Sequence, residues 1–379
     1  MQTESAVTPA EQQSSPLVRV ALLAYSFLIV YASLYPFTGW RSLGVSALDY
    51  LDEPLPHYWT FFDVSIDIVG YIPFGFLLVL ACYPWLARRW AALLCLLTGT
   101  LVSASMEAVQ TFLPSRVASN LDLLTNAIGV LIGVFIGCLL TPRLLEQDLL
   151  KKIRVRWFVP NISNGLLIVL LWPLAQIYPQ ATMFGLGQIV SMLSHWLNLY
   201  LGIPIDLGSV IRQGAELSVE QYWLSETLVC CFGLIGAVLI FLCLLTPQAP
   251  KARLMSLLIV ASLSVKTLAM ALLFKPENAY SWFSPAAQAG LLLGCLMLYG
   301  LAFTTARAQR HLALCMLIVS LLVVNVVPSN PYFSDTLSTW VQGKFLNFNG
   351  AAQFLSICWP WLALWFLLHY QPAKVAPTV

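Results

Sequence analysis

Charged residues are scarce in this 379-residue sequence, where Asp, Glu, Lys and Arg together make up 9% of the chain. Soluble domains contain roughly 25% of these residues. Hydrophobic residues make up 59%, which is more apolar surface than a soluble fold of this size could keep from water. The formal net charge is +2, without the concentrated basic face that a nucleic-acid partner requires. The composition therefore predicts a membrane protein with no nucleic-acid partner.

The sequence also lacks the short motifs of common nucleotide, zinc-protease and serine-hydrolase sites. None of the patterns GxGxxG, P-loop, HExxH or GxSxG occurs in it. The nine cysteines include no CxxC pair and show no metal-like spacing with histidine, and all lie inside apolar blocks. We therefore expect neither a metal site nor a cofactor.

Long apolar blocks dominate the sequence, and several have the 18 or more residues needed to cross about 30 Å of hydrocarbon. They predict an all-α polytopic membrane protein with about ten transmembrane helices. These helices are expected at residues 17–37, 61–83, 90–113, 120–140, 161–179, 223–245, 254–274, 286–305, 311–327 and 351–370. Residues 1–16 form a polar tail without the basic n-region or cleavage site of a secretory signal, so the first block should remain as a helix.

Basic residues alternate between the predicted loops, and they indicate the orientation of the chain. With the N-terminus inside, the inner segments hold thirteen of the 19 Lys and Arg residues and the outer segments hold five. The remaining one, Lys266, lies within a predicted helix. Because Lys and Arg concentrate on the cytoplasmic side, we expect both termini to be cytoplasmic.

A basic loop at residues 141–159 separates a four-helix unit, 17–140, from a six-helix unit, 160–370, and a tail follows at 371–379. The six-helix unit should have outer loops at 180–222 and 328–350. Within the first of these loops, residues 186–201 have apolar side chains at helical spacing. We expect this stretch to lie along the outer interface, and a re-entrant or eleventh spanning helix is the alternative.

Ionisable and amide residues are concentrated in predicted helices two, three and four, although a charge at the bilayer centre costs roughly 2.5–3.5 kcal/mol. Spacings of three or four residues put those of each helix on one stripe. Asp67, Glu107 and Asn126 should lie about 9 Å below the outer ends of their helices. We expect an outward-facing polar pocket lined by Asp63, Asp67, Glu107, Gln110, Arg116, Asp122 and Asn126.

Glycines follow the polar stripe of helix four. Gly129, Gly133 and Gly137 form a small-xxx-small seam that lets a neighbouring helix approach closely. We expect this seam, together with Pro73 and Gly75 of helix two, to serve helix packing.

The segment SASMEAVQTFLPSRVASNLDLLTNAIGVLIG resembles the signature of the VanZ-like family, with its Ser, Glu, Gln, Pro, Arg, Asp, Asn and paired glycines. The preceding DVSIDIVGYIPFGFLL is similar to the family's pattern of Asp, Asn, aromatic, Pro and Gly, except that Asp67 stands where the family more often has Asn. The resemblance covers about residues 20–140 and leaves the six later helices unexplained.

The resemblance implies a role in the cell envelope, in the bacterial cytoplasmic membrane. The founding member of the family is associated with low-level resistance to the lipoglycopeptide antibiotic teicoplanin. We expect a non-hydrolytic protein that engages a membrane lipid or another lipid-linked or amphiphilic envelope molecule at the outer leaflet. Arg116 would contact an anionic headgroup, and Glu107, Gln110, Asp122 and Asn126 would supply directional hydrogen bonds.

Three alternatives remain. An intramembrane enzyme acting on a glycolipid or phospholipid would use Glu107 and either Asp67 or Asp122 as acid and base, which makes these three the catalytic candidates. An ion-coupled transporter would need a cytoplasmic path, but the inner halves of helices two to four carry no matching acidic residues. The polar groups could also simply hold the helices together.

The orientation can be tested with topology reporters. A fusion after Arg143 should report the cytoplasm and a fusion after Arg116 the outside, because the basic residues concentrate in the loops assigned to the inside. Alkaline phosphatase and green fluorescent protein, placed at both sites, give opposite readings for the two compartments. A cytoplasmic reading at Arg116 would contradict the predicted orientation.

Overall fold

The structure is a computed structural model, and it describes residues 16–35, 37–42, 44–59, 61–82, 88–141, 155–160, 163–203, 205–215, 217–273, 279–327 and 346–370. The predicted tails, 1–16 and 371–379, lie outside these residues except for Pro16. Most of the predicted loops 141–159 and 328–350 also lies outside them. The chain divides into two compact units, an N-terminal unit of residues 1–152 and a C-terminal unit of residues 153–379.

The described residues form helices joined by turns, with one isolated antiparallel bridge between Phe158 and Leu245. The N-terminal unit contains α1 (Pro16–Leu34), α2 (Phe61–Cys82), α3 (Arg88–Gln110) and α4 (Asn120–Thr141). The C-terminal unit contains α5 (Ser163–Leu174), α6 (Ile189–Leu201), α7 (Leu207–Ile211), α8 (Val219–Cys243), α9 (Lys251–Leu273), α10 (Pro285–Leu301), α11 (Ala306–Val326) and α12 (Leu346–His369).

Each of the ten predicted blocks corresponds to a helix, and the prediction of an all-α polytopic membrane protein is confirmed. By length and composition, seven helices of the described residues are able to cross a membrane: α2, α3, α4, α8, α9, α11 and α12. The apolar parts of α1, α5 and α10 are shorter, at Ala21–Leu34, Asn164–Leu174 and Pro285–Leu301.

The fifth helix is shorter than the predicted 161–179, because α5 ends at Leu174. Pro173 lies in its last turn and has no N–H to donate. The chain then runs through turns and irregular backbone to Ile189, with residues 183–187 buried. The stretch predicted to be interfacial becomes α6, whose 13 residues extend about 20 Å, less than a membrane span.

The glycine seam of α4 lies against the backbone of α2. A Cβ added at Gly129 would overlap the carbonyl oxygen of Ile68, and one at Gly133 would overlap that of Ile72. The seam therefore brings two helix backbones into direct contact, as small residues do in membrane helix pairs. This contact fixes the rotation of α4 relative to α2, and so it determines which side chains of the two helices meet.

The sequence of α2 fits the same contact. A Cβ at Gly75 would overlap the carbonyl oxygen of Val130 in α4. Two residues earlier, Pro73 lies inside α2 and leaves the preceding turn one backbone donor short. In that turn the carbonyl of Gly70 accepts a hydrogen bond of 2.7 Å from the Tyr25 hydroxyl of α1. The carbonyl that loses its helical donor to Pro73 is that of Val69, and the first helix thus bonds to the neighbouring carbonyl in the same turn.

Substitution of Gly133 by alanine should destabilise the protein, because its methyl group would overlap the α2 backbone. Overpacking of this kind costs about 1–3 kcal/mol. Gly70→Ala is the matched control, since a Cβ there meets nothing within 4 Å and alanine favours a helix by about 1 kcal/mol over glycine. Thermal unfolding in detergent should show a lower Tm for Gly133→Ala and an equal or higher Tm for Gly70→Ala. Equal Tm values for Gly133→Ala and the native protein would contradict the close α2–α4 contact.

Candidate functional site

The first turns of α2 and α4 and the last turns of α3 bring four carboxyl groups together. They belong to Asp63 and Asp67 of α2, Glu107 of α3 and Asp122 of α4, and Arg116 lies in the turn before α4. Asp67 interacts electrostatically with Asp63 and Asp122, and Glu107 with Asp67, Asp122 and Arg116. We call these five residues the carboxyl cluster. Four acids and one base make it a site with an excess of acidic groups.

Glu107 is the most deeply buried member of the cluster, with 3% of its surface exposed. One of its carboxyl oxygens accepts the backbone N–H of Ser119 at 3.0 Å. The Ser119 hydroxyl in turn accepts the N–H groups of Leu121 and Asp122 at 3.2 and 3.3 Å. Such a serine caps the first turn of a helix, where an acid is also favoured by the helix dipole. Glu107 therefore attaches α3 to the beginning of α4.

The aspartates are more accessible than Glu107. Asp63 is exposed, and Asp67 and Asp122 are half-buried. The Thr125 hydroxyl lies 3.2 Å from a carboxyl oxygen of Asp67 and 3.1 Å from the backbone carbonyl of Asp122. Exposure thus decreases from Asp63, in the first turn of α2, to Glu107 inside the bundle. At least three of the carboxyl groups have a side that a ligand can approach.

Asn126 and Ser103 lie one turn further along the helices. The Asn126 amide nitrogen donates to the Ser103 hydroxyl at 3.0 Å, and both residues are buried. Ser103 also interacts with the Tyr71 hydroxyl of α2. The amide oxygen of Asn126 is buried and has no hydrogen-bond partner among the described residues. The sequence predicts one depth for three polar residues of these helices. In the structure each has a hydrogen-bond partner of its own: Thr125 for Asp67, Ser119 for Glu107 and Ser103 for Asn126.

Gln110 and Arg116 contact α1. The Gln110 amide donates to the carbonyl of Ser33 at 3.2 Å. One terminal nitrogen of Arg116, Nη2, lies 3.3 Å from the carbonyl of Ala32 and 3.5 Å from that of Tyr35. These carbonyls end α1, where a helix has acceptors without partners of its own. Gln110 therefore holds the end of α1 through its amide nitrogen.

Arg116 retains capacity for a further partner. Burial lowers the pKa of Arg116, while the negative charges of Glu107 and Asp122 oppose this shift. The guanidinium has five N–H donors, and its hydrogen bonds to protein atoms in the described part of the chain all use Nη2. The other two nitrogens of this half-buried side chain, Nε and Nη1, make no hydrogen bond to protein atoms in the described part of the chain.

Several residues of this region were not identified from the sequence. Ser119 and Thr125 had a readable signal, since Ser119 directly precedes a helix and Thr125 lies three residues after Asp122. Tyr50 had none. It lies in a short 3₁₀ turn, Asp49–Leu51, is 2% exposed, and donates to the carbonyl of Ala104 in α3 at 3.2 Å. Only the tertiary structure brings this loop against α3.

No group of three or more His, Cys, Asp or Glu side chains is arranged to hold a metal ion in the part of the chain that the structure describes. The carboxyls of the cluster are distributed over three helices and take separate partners. The arrangement suits hydrogen bonding to a ligand, or proton transfer between carboxyls of different burial.

Comparison with known proteins agrees with the residues of this region. No curated protein and no solved structure matches the chain. A family model described as VanZ/LLP1 matches residues 7–141, which include all four helices of the N-terminal unit, the carboxyl cluster and the glycine seam. The residues after 141 lie outside the match. The N-terminal part of this membrane protein, residues 7–141, is thus similar to the VanZ/LLP1 family.

Proposed function

We propose that the VanZ-like unit binds the polar headgroup of a lipid-linked or amphiphilic envelope molecule at the outer leaflet. The observation that carries this proposal is the gradient of burial across the carboxyl cluster, from exposed Asp63 to Glu107 at 3% exposure. A set of groups that only joined helices would be buried together. Here accessible carboxyls lie beside a buried one, close to an arginine with unused donors.

The charges indicate what the headgroup carries. Four carboxyls are acceptors when ionised, so they favour a ligand with hydroxyl or ammonium donors. Arg116 favours one anionic group, which its planar guanidinium binds with two parallel hydrogen bonds. A sugar-bearing or amine-bearing amphiphile with a phosphate or carboxylate has both features. A lipoglycopeptide such as teicoplanin has sugar hydroxyls and so has the first feature.

An intramembrane enzyme acting on a glycolipid or phospholipid is the second candidate. It is favoured by the difference between Glu107, which is buried, and Asp122, which is half-buried and interacts with it electrostatically. Carboxyls in unlike environments can divide the roles of acid and base between them. The ion-coupled transporter is less favoured, because backbone contact at Gly129 and Gly133 leaves no path between α2 and α4 on the inner side of the cluster.

Glu107→Gln should abolish function while leaving the protein folded. Glutamine keeps an oxygen that can accept the Ser119 N–H, but it loses the charge and the exchangeable proton. Hydrogen bonds to charged groups contribute about 1.5–3 kcal/mol, so ligand affinity should fall about tenfold or more. We expect normal membrane abundance by immunoblot and lost protection against teicoplanin. Glu53→Gln is the matched control, because Glu53 is exposed in the outer loop of the same unit.

Mass spectrometry of the copurified amphiphile separates the two candidate functions. A binding protein with Glu107→Gln should retain less of the molecule, whereas an enzyme with the same change should retain more, as unreacted substrate. Full protection by Glu107→Gln, with an unchanged amount of bound molecule, would contradict both and leave helix packing as the role of Glu107.

Arg116→Lys tests the anionic part of the ligand. Lysine keeps the positive charge but not the planar set of donors, so it cannot hold the end of α1 through one nitrogen and a phosphate or carboxylate through the others. We expect normal abundance, with loss of teicoplanin protection and of the copurified anionic amphiphile. Arg41→Lys is the control, since the Arg41 side chain is exposed on the outer loop. Unchanged activity of Arg116→Lys would exclude a bidentate role for this residue.

A further inference from the structure

Two cysteines of the N-terminal unit lie in contact. Cys82 is the last residue of α2, and Cys95 lies about two turns into α3. The Cys95 thiol donates to the sulfur of Cys82, and the two sulfur atoms are 3.7 Å apart. The sequence separates the two residues by 13 positions and contains no CxxC pair. Only the packing of α2 against α3 therefore brings these thiols together.

Other buried cysteines use their sulfur in a different way. Cys230 and Cys243 of α8 donate to the backbone carbonyls of Ala287 and Ala306, each at 3.5 Å. A buried cysteine of this kind acts as a small apolar residue with a weak donor. A contact between two thiols adds little stability to that, since sulfur is both a weak donor and a weak acceptor. The contact does place two sulfur atoms where they can form a bond with each other.

The two side chains need little movement to form a disulfide. Their sulfur atoms are about 1.7 Å further apart than the atoms of a disulfide bond. Cys82 ends α2 and is half-buried, so rotation about its Cα–Cβ bond can shorten this distance. Cysteines that lay much further apart would have to move the backbones of their helices.

The two thiols differ in their access to small reagents. Cys95 is 1% exposed and belongs to the buried core of the unit, whereas Cys82 is half-buried and packs against that core. A diffusing oxidant therefore meets Cys82 first, with the Cys95 thiol beside it. A redox-active pair needs this combination of one accessible thiol and a second thiol that resolves the oxidised first one.

We propose that Cys82 and Cys95 form a redox modification site, in which hydrogen peroxide converts the two thiols to a disulfide that joins α2 to α3. Cys82 loses its proton and attacks one peroxide oxygen. The O–O bond breaks, the released hydroxide takes up a proton to give water, and Cys82 becomes a sulfenic acid. The Cys95 thiol then attacks the Cys82 sulfur, so that the S–S bond forms, the S–O bond breaks and a second water leaves. The sulfurs lose two electrons in total, and the peroxide accepts them.

The predicted orientation puts this pair at the cytoplasmic end of the two helices. Cytosolic thiols are kept reduced, and the disulfides that do form there are usually transient and redox-sensing. A dithiol reductant attacks the disulfide and returns both cysteines to thiols, so the link between α2 and α3 is reversible. The carboxyl cluster lies at the opposite ends of these helices, with Asp63 in the first turn of α2. The redox site does not depend on what that cluster binds.

Peptide mapping of the full-length protein in native membranes tests the site. Membranes are treated with hydrogen peroxide, the remaining thiols are blocked with N-ethylmaleimide, and the protein is digested with trypsin. Cleavage after Arg88 and Arg89 leaves Cys82 in the peptide 42–88 and Cys95 in the peptide 90–116, and neither peptide contains a second cysteine. We expect mass spectrometry to find the two peptides joined after peroxide and separate after dithiothreitol. The oxidised chains should run as monomers on a non-reducing gel, because the link lies within one chain.

Two substitutions locate the chemistry. Cys138→Ser, at a cysteine that packs against the same core, should leave the joined peptides unchanged. Cys95→Ser should abolish them and leave the Cys82 sulfenic acid without its resolving thiol, so that dimedone labels the peptide 42–88. Mapping of the native chain decides the question even if a variant fails to accumulate. Peroxide treatment that leaves both native cysteines as thiols, oxidises Cys82 to a sulfinic acid without joining the peptides, or joins Cys95 to Cys138 instead would overturn the proposal.

Discussion

The N-terminal unit depends on the backbone contact between α2 and α4. Gly129 and Gly133 have no side chain between the two helices, and a methyl group at either would overlap a carbonyl of α2. This contact sets the distance and the rotation of the two helices. As a result Asp67 lies within hydrogen-bonding distance of Thr125, and Asp122 lies close enough to Asp67 to interact with it electrostatically. In a membrane, where helices gain little from the hydrophobic effect against each other, such close packing and the polar contacts beside it provide the association.

Around this pair, α1 and α3 complete the site by satisfying polar groups of different helices. Glu107 of α3 accepts from the turn before α4, and Arg116 of that turn donates to the end of α1. Each contact is made by a side chain that also belongs to the carboxyl cluster, so the same residues hold the helices together and carry the proposed binding role. Conservative substitutions that keep a hydrogen bond and remove a charge are therefore more informative than truncations to alanine.

The two units bury ionisable groups of opposite type, mainly acids in the N-terminal unit and a lysine in the C-terminal unit. The carboxyl cluster has four acids and one arginine, whereas the C-terminal unit buries a lysine without an acid among its described neighbours. The family match ends at residue 141, so the chemistry around Lys266 belongs to a part of the chain that the family does not account for.

The sequence by itself determined the class of the protein and the identity of most of the cluster. Apolar blocks reveal membrane helices because their length must match the hydrocarbon, and acids inside such blocks are conspicuous because their burial is costly. The tertiary structure determined the contacts between distant residues, which no local sequence pattern indicates. It bonded Gln110 to the end of α1, and it ended α5 early and packed residues 183–187 inside the bundle. It also brought Lys266 to the carbonyl of Tyr178, 88 residues away in the chain. Periodicity describes which face of a helix is polar, but the partner of that face depends on how distant helices pack.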